Sequence, residues 1–325
     1  MPRPRKQQIS LSDTNYYHCV SRCTRRAFLF GVDQFTGQNY NHRRDWVVDR
    51  INLLGQVFAI DVAAFSVMSN HHHVVLRVDT EKADNWSLDE VIQQWHKIYN
   101  GTFISQQYIA EGKLPLAQSL ILQKSVEIWR KRLGDISWFM KALNEPIARM
   151  ANAEDKCTGR FYEGRFKSQA LLDEQAILAC MAYVDLNPIR AKMASTPETS
   201  DFTSIQTRIE SAKEKGIPDT LAPFQGSERK DKADGIPFAL QDYIELVDIT
   251  GRAIREDKRG HIDSSFPPIL KRLNIDSETW LYIATTFEES FGPWIGTSQR
   301  LQQVCENTKK SWICRSEGCE KLYGT

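Results

Sequence analysis

The sequence predicts an α+β fold, in which an antiparallel sheet is backed by helices and followed by a mainly α-helical C-terminal region. Three observations carry that expectation. Short runs rich in β-branched and aromatic residues occur at 16–23, 62–68, 71–78 and 165–172. Apolar residues recur at helical spacing between and after them. The composition, with 41% hydrophobic, 10% aromatic and 26% charged residues, is that of a folded chain rather than a disordered one.

Each element has its own signal. Residues 16–23 (YYHCVSRC) form a predicted strand. From 43 to 58 the apolar positions Trp46, Val47, Ile51, Leu54 and Phe58 follow a helical stripe. The runs 62–68 and 71–78 flank Ser69-Asn70 and read as a hairpin of adjacent antiparallel strands. Ser87 followed by Glu90 is a capping box that opens a helix to 99. Phe139, Met140, Leu143 and Ile147 mark a helix over 136–150. After the strand at 165–172, Asp173 caps a helix that Pro188 should stop at Asn187. The order strand–helix–strand–strand–helix–strand–helix predicts a ferredoxin-like (RRM-like) sandwich with one extra helix. Residues 101–134 then read as an insertion. The polar stretch 210–235 reads as a linker, dividing the chain into a domain at 1–209 and a helical domain of unassigned role at 236–325. In the latter, 277–291 and 298–308 read as helices.

Several function classes are disfavoured. No apolar run approaches the roughly 18 residues of a membrane span, so no membrane partner is expected. The basic start (MPRPRK) is not followed by the apolar stretch of a secretory signal. Seven unevenly spread cysteines suit a reduced, cytoplasmic protein better than a disulfide framework. Cys305, Cys314 and Cys319 have spacings that match no usual zinc pattern, His261 lies far from them in sequence, and Cys19 and Cys23 read as core residues. The formal net charge is only +1, from 42 Lys+Arg and 41 Asp+Glu. That total conceals an asymmetry: residues 1–200 hold 25 basic and 21 acidic groups, residues 201–325 hold 17 and 20. An acidic back half would restrain non-specific nucleic-acid binding, so deleting 210–325 should raise affinity for random DNA.

Three constellations carry chemistry. In Asn70-His71-His72-His73, strand alternation puts His71 and His73 on one face and His72 on the other. Two imidazoles on one face can grip a divalent metal, although half-exposed polar strand residues would look the same. Tyr183 and Asn187 lie four apart on the helix after Asp173, one turn above the other, beside a buried stripe of Ile177, Met181 and Val184. They can supply a nucleophile and an oxygen ligand, or simply a packed phenol and a helix cap. Between them runs GRFYEGRFKS, in which Arg160, Arg165 and Lys167 alternate with aromatics, as single-stranded nucleic acid requires. A strand edge protected by charge has the same pattern.

Taken together and in this order, Asn-His-x-His on a strand, GRFxEGRFKS, and Tyr-x-x-x-Asn-Pro-x-Arg-Ala resemble the single-tyrosine transposases of the HUH endonuclease superfamily, most of all the REP-associated tyrosine transposases. The resemblance spans roughly residues 10–205 and includes Phe202-Thr203-Ser204, where the family often has Trp-Ser-Ser. It implies His71, His73 and Asn187 as ligands of a divalent metal, Mg²⁺ or Mn²⁺, and Tyr183 as the nucleophile. It implies a metal-dependent transposase or DNA strand transferase that cuts and rejoins single-stranded or hairpin DNA through a 5′-phosphotyrosine link. Arg160, Arg165 and Lys167, with Arg3, Arg5 and Lys6, are the expected phosphate contacts. Two departures stand out: His72 occupies a position that is usually bulky and hydrophobic, and Ser69 one that is usually proline. A hairpin-DNA-binding protein without turnover is the alternative, and a metallohydrolase that uses water instead of tyrosine is a third.

Overall fold

The structure, a computed structural model, describes residues 8–24, 30–33, 37–214, 220–225, 235–255, 268–308 and 317–323. Arg3, Arg5, Lys6, His261, Cys314 and much of the expected linker lie outside the described residues.

One open, mostly antiparallel sheet organises the chain. Its strands are β1 (Tyr16–Arg22), β2 (Ile60–Val67), β3 (His71–Val78), β4 (Lys167–Leu171) and β5 (Trp294–Ile295), in the order β2-β3-β1-β4-β5. Strands β1 to β4 fall where alternation places them. β5 was not expected, because two residues show no period. It runs parallel to β4, with Ala170 opposite Trp294 and Leu171 opposite Ile295. The C-terminal region therefore completes the sheet of the N-terminal one. β2 is buried at all eight positions, as its nearly continuous apolar run (IDVAAFSV) requires of a strand covered on both faces.

The helices in chain order are α1 (His42–Val57), α2 (Thr80–Asn85), α3 (Leu88–His96), α4 (Phe103–Glu111), α5 (Leu116–Leu133), α6 (Ile136–Glu154), α7 (Glu174–Asp185), α8 (Asn187–Arg190), α9 (Ser204–Lys213), α10 (Leu240–Ile254), α11 (Pro268–Arg272), α12 (Ser277–Ser290), α13 (Ser298–Thr308) and α14 (Glu317–Tyr323). The capping box at Ser87 and Glu90 is present and opens α3. The insertion at 101–134 is a helical hairpin, α4–α5, docked by a parallel stack of Trp129 on Trp95 with centroids 5.3 Å apart.

Pro146 sits inside α6. A proline has no N–H for the carbonyl four residues back, here that of Ala142. Arg50 of α1 donates its Nε to that carbonyl at 2.9 Å, so the gap in the helix ladder becomes a tie between α1 and α6.

α6 covers one face of the sheet, where Asn144 donates to Ser21 Oγ at 2.8 Å. α7 covers the other. Asp173 caps α7 by accepting from the Ala176 amide, and Leu186 separates α7 from α8. The expectation of one buried stripe on this helix is too narrow. Every residue from Ala176 to Asp185 is buried, because α12 packs on the side facing away from the sheet. The far end of α7 is clamped by Asp185, whose carboxylate accepts from Ser204 Oγ (2.5 Å), the Ile205 amide (3.0 Å) and Tyr243 Oη (2.5 Å). Burial pushes this carboxyl up to about 6.

Candidate functional site

Strand register assembles the first part of the site. In the β1–β3 ladder, Arg22 faces His71, Ser21 faces His72 and Val20 faces His73. Alternation then sorts the side chains as the sequence predicts. His73 reaches the α7 side, with its ring centroid 5.9 Å from that of Tyr183. His71 lies beside it at 4.8 Å. His72 goes to the opposite layer against Phe30 and Tyr162, 6.3 and 5.8 Å away.

A chain of hydrogen bonds fixes the tautomer of His73. Gln169 Nε2 donates to the carbonyls of Phe291 (3.2 Å) and Gly292 (3.0 Å), so its Oε1 is left as an acceptor. His18 Nδ1 must donate to that oxygen at 2.7 Å. Burial lowers the pKa of His18, so the ring is neutral and its Nε2 accepts. His73 Nδ1 is therefore the donor across the 2.9 Å contact between the two imidazoles. His73 is fully buried and its pKa is held well below the ordinary value, mainly by burial and then by the neighbouring His71. Its Nε2 thus presents a lone pair, has no hydrogen-bond partner and faces Glu288 Oε1 at 4.0 Å. His71 is prepared in the same way. Burial, reinforced by Arg22, pushes its pKa down to about 3, and its Nδ1 lies 2.5 Å from Asn70 Oδ1.

Tyr183 is enclosed on two sides. Arg190 stacks its guanidinium 3.7 Å above the ring. Phe287 of α12 stacks on the ring with centroids 5.1 Å apart. The phenol is left 5% exposed, and burial raises its pKa despite the opposing Arg190 charge. Asn187 joins the group through Arg190, which donates to Asn187 Oδ1 at 2.9 Å.

The donor set matches a divalent ion in part. Neutral imidazoles with Nδ1 engaged and Nε2 open are what metal ligation needs. The His73 Nε2 lone pair and the Glu288 Oε1 carboxylate oxygen, 4.0 Å apart, are two electron donors on one side of the site. Asn187 does not match as it stands, because its oxygen is already taken by Arg190. Among the described residues, no group of three or more His, Cys, Asp or Glu side chains is arranged to hold a metal ion.

The basic–aromatic segment lies at the same end of the sheet. Its Tyr162 bridges to Cys23 just past β1, and the Glu163 amide donates to the Arg22 carbonyl at 2.9 Å. Arg160, Arg165 and Lys167 are all exposed there. Lys167 borders a cleft of about 290 Å³ that also touches His18, Gln169 and Glu288. Cys19 and Cys23 are buried in the core.

Sequence reasoning missed His18, Gln169, Arg22, Phe287 and Glu288, and it included Arg190 in the Tyr-x-x-x-Asn-Pro-x-Arg-Ala motif without giving it a role. For His18 and Arg22 a signal existed: both share parity with Val20 on β1 and so face the same side as His73. Arg190 follows Asn187 by three residues, a helical neighbour. Phe287 and Glu288 arrive from a hundred residues away and carry no local mark.

No protein-family model matches the chain. No curated protein matches it either. Among solved structures, a REP-associated tyrosine transposase bound to a REP hairpin shows a distant likeness, with 12% sequence identity, a TM-score of 0.37, and coverage of 70% of this chain and 98% of that chain.

Proposed function

We propose that this protein is a DNA strand endonuclease and transferase of the transposase type, acting on single-stranded or hairpin DNA with Tyr183 as nucleophile. The observation that carries the proposal is the meeting of Tyr183, His73, His71 and Arg190, brought from two distant stretches of chain to one spot between sheet and helix. The sheet order also supports it, since β4-β1-β3-β2 around two crossing helices is the arrangement of a ferredoxin-like sandwich.

In this proposal the phenol attacks a phosphate in line, a 5′-phosphotyrosine forms, and a 3′-hydroxyl leaves with the other strand end. The bond to tyrosine retains the energy needed to rejoin the strand. A phenol has a pKa of about 10 in water and needs help to ionise. The Arg190 guanidinium, stacked on the ring, stabilises the phenolate; Arg22, beside His71, is paired with Glu288 at 3.3 Å and would meet phosphate charge on leaving that carboxylate. His71 and His73 would hold a divalent ion, Mg²⁺ or Mn²⁺, whose contribution is to polarise the scissile phosphate; Asn187 could join them only after Arg190 releases its oxygen. Arg160, Arg165 and Lys167 are the proposed contacts to the DNA backbone.

The test is a covalent adduct. End-labelled hairpin or single-stranded oligonucleotides with Mn²⁺ or Mg²⁺ should give a labelled protein band on a denaturing gel. Tyr183→Phe should abolish the band, and His73→Ala should lower it by at least 100-fold while DNA binding persists. Cleavage by Tyr183→Phe would overturn the tyrosine mechanism in favour of water. A second reading, DNA binding without turnover, is favoured by one observation: Phe287 covers the tyrosine in the folded chain. Binding of hairpins with no adduct under any of these conditions would establish it.

A further inference from the structure

The α4–α5 hairpin, the stretch that spacing sets apart as an insertion, contributes no residue to the tyrosine site. It nevertheless carries most of the uncovered apolar side chains. Of the ten large apolar residues exposed among the described residues, six lie on it: Phe103, Ile109, Leu116, Leu120, Ile121 and Ile128. Scattered singly, such residues need no explanation, but their concentration on one element marks an interaction surface.

The pattern along α5 defines that surface. Leu122, Val126, Trp129 and Leu133 are buried and form the stripe that packs towards α3 and α6. At 3.6 residues per turn, Leu116, Leu120, Ile121 and Ile128 fall on the opposite side of the helix, where they are 50–79% exposed. A surface helix needs one apolar stripe; α5 has two, and the rest of the chain covers one of them. The outer stripe is about 18 Å long and includes two opposite charges, Lys124 and Glu127, both exposed. Glu127 lies 3.5 Å from Arg130 on its own helix, and a surface pair of that kind contributes little.

This chemistry selects the occupant. Nucleic acid and anionic membrane surfaces call for a run of cations, whereas this stripe is mostly apolar and has an acid at its middle. A second copy of the same stripe fits it. Around a two-fold axis every contact occurs twice, residue i on j and j on i. With two α5 helices antiparallel, setting Lys124 against Glu127 of the partner subunit makes both ion pairs at once. The same register brings Ile121 beside Ile128 of the partner subunit and lays the aliphatic stem of Lys131 over Leu120 of the partner subunit.

We propose that the outer face of α5 is a self-association surface, on which two copies of this chain pair antiparallel. Two helices in contact over this length bury less than the roughly 800 Å² per partner of a standard interface, so the dimer is weak and forms as concentration rises. α5 packs on α6, which covers the sheet face opposite α7, so the surface and Tyr183 lie on different sides of the sheet. The proposal goes beyond the strand-cleavage reading and does not depend on it.

Sedimentation velocity of the full chain, from micromolar to several hundred micromolar, tests it. The wild type should move from monomer towards dimer across the series. Leu120→Ser with Ile128→Ser should raise the dissociation constant by about tenfold or more. Lys124→Glu and Glu127→Lys each set like charges opposite one another, and each should weaken pairing by roughly fivefold or more. Lys124→Glu with Glu127→Lys restores opposite charges across the axis and should recover the wild-type constant to within about twofold. All four positions are exposed, so the variants leave the core untouched, and thermal melting of each checks this. A wild type that stays monomeric throughout overturns the proposal, as does a charge-reversed double variant that pairs no better than the single ones. A monomeric wild type whose apolar variant loses binding to hairpin DNA would assign the surface to nucleic acid instead. None of these outcomes touches Tyr183, so failure here leaves the strand-cleavage reading intact.

Discussion

His72 is the residue where the chain departs most from what its position asks for. It points into the layer between sheet and α6, fully buried, and neither ring nitrogen has a hydrogen-bond partner. Burial pushes its pKa down to about 4, and the nearby Asn144 side chain opposes that only in part. A buried polar group left unsatisfied destabilises by about 1–3 kcal/mol. His72→Leu keeps a similar volume and removes both nitrogens, so it should raise unfolding stability by about 1–2 kcal/mol in urea titrations at pH 7. The pH dependence has a definite sign. With a folded pKa near 4 and an unfolded value of 6.5, the unfolded chain takes up the proton first as pH falls. Stability from this group is therefore complete above about 6.5 and is lost on acidification towards 4. His71, pushed down to about 3, acts in the same direction, whereas Asp185, pushed up to about 6, acts against them. Melting temperature should fall from pH 7 to pH 5 in the wild type and fall less in His72→Leu. An equal fall in both would show that His72 is not among the titrating groups. The opposed directions of His71 and His73 on one side and His72 on the other were legible from strand alternation. The partnerless nitrogens were not, since a sequence does not say which polar neighbours reach a buried ring.

At the scale of elements, the pairing that matters is α7 with α12. Most boundaries of the strands and long helices could be read from spacing and caps, and α13 falls where its periodicity predicts, at Ser298–Thr308. What spacing could not provide was the position of α12. Its own apolar stripe is local information, but the surface it meets is chosen by Tyr183 and its neighbours a hundred residues earlier. The consequence is that Tyr183, the proposed nucleophile, is stacked beneath Phe287. Phe287 is fully buried, so Phe287→Ala should lower stability by about 3–5 kcal/mol. The same change should expose the phenol. Nitration of Tyr183, followed by mass spectrometry under conditions where the variant stays folded, should be at least tenfold faster than in the wild type. Equal rates would mean that the phenol is already reached by another route.

For the whole molecule, the division into a basic front and an acidic back describes charge but not folding. β5 extends the sheet through Ala170 and Leu171, Gln169 is held by the Phe291 and Gly292 carbonyls, and Arg300 donates to Leu172 O at 3.1 Å. The deletion suggested by the charge asymmetry would therefore remove parts of the core along with the acidic surface. A chain ending at residue 209 should lack a cooperative thermal transition, as measured by circular dichroism. A sharp melt near that of the full chain would show that the front half folds unaided. The late strand and helix have another consequence, which concerns the order in which the polypeptide is made. Phe287 lies 104 residues after Tyr183. At a synthesis rate of about 5–20 residues per second, the ribosome completes the tyrosine roughly 5–20 s before the phenylalanine that covers it. Every new copy thus passes through an interval in which Tyr183 exists without its cover, and a stalled or truncated translation product keeps it uncovered.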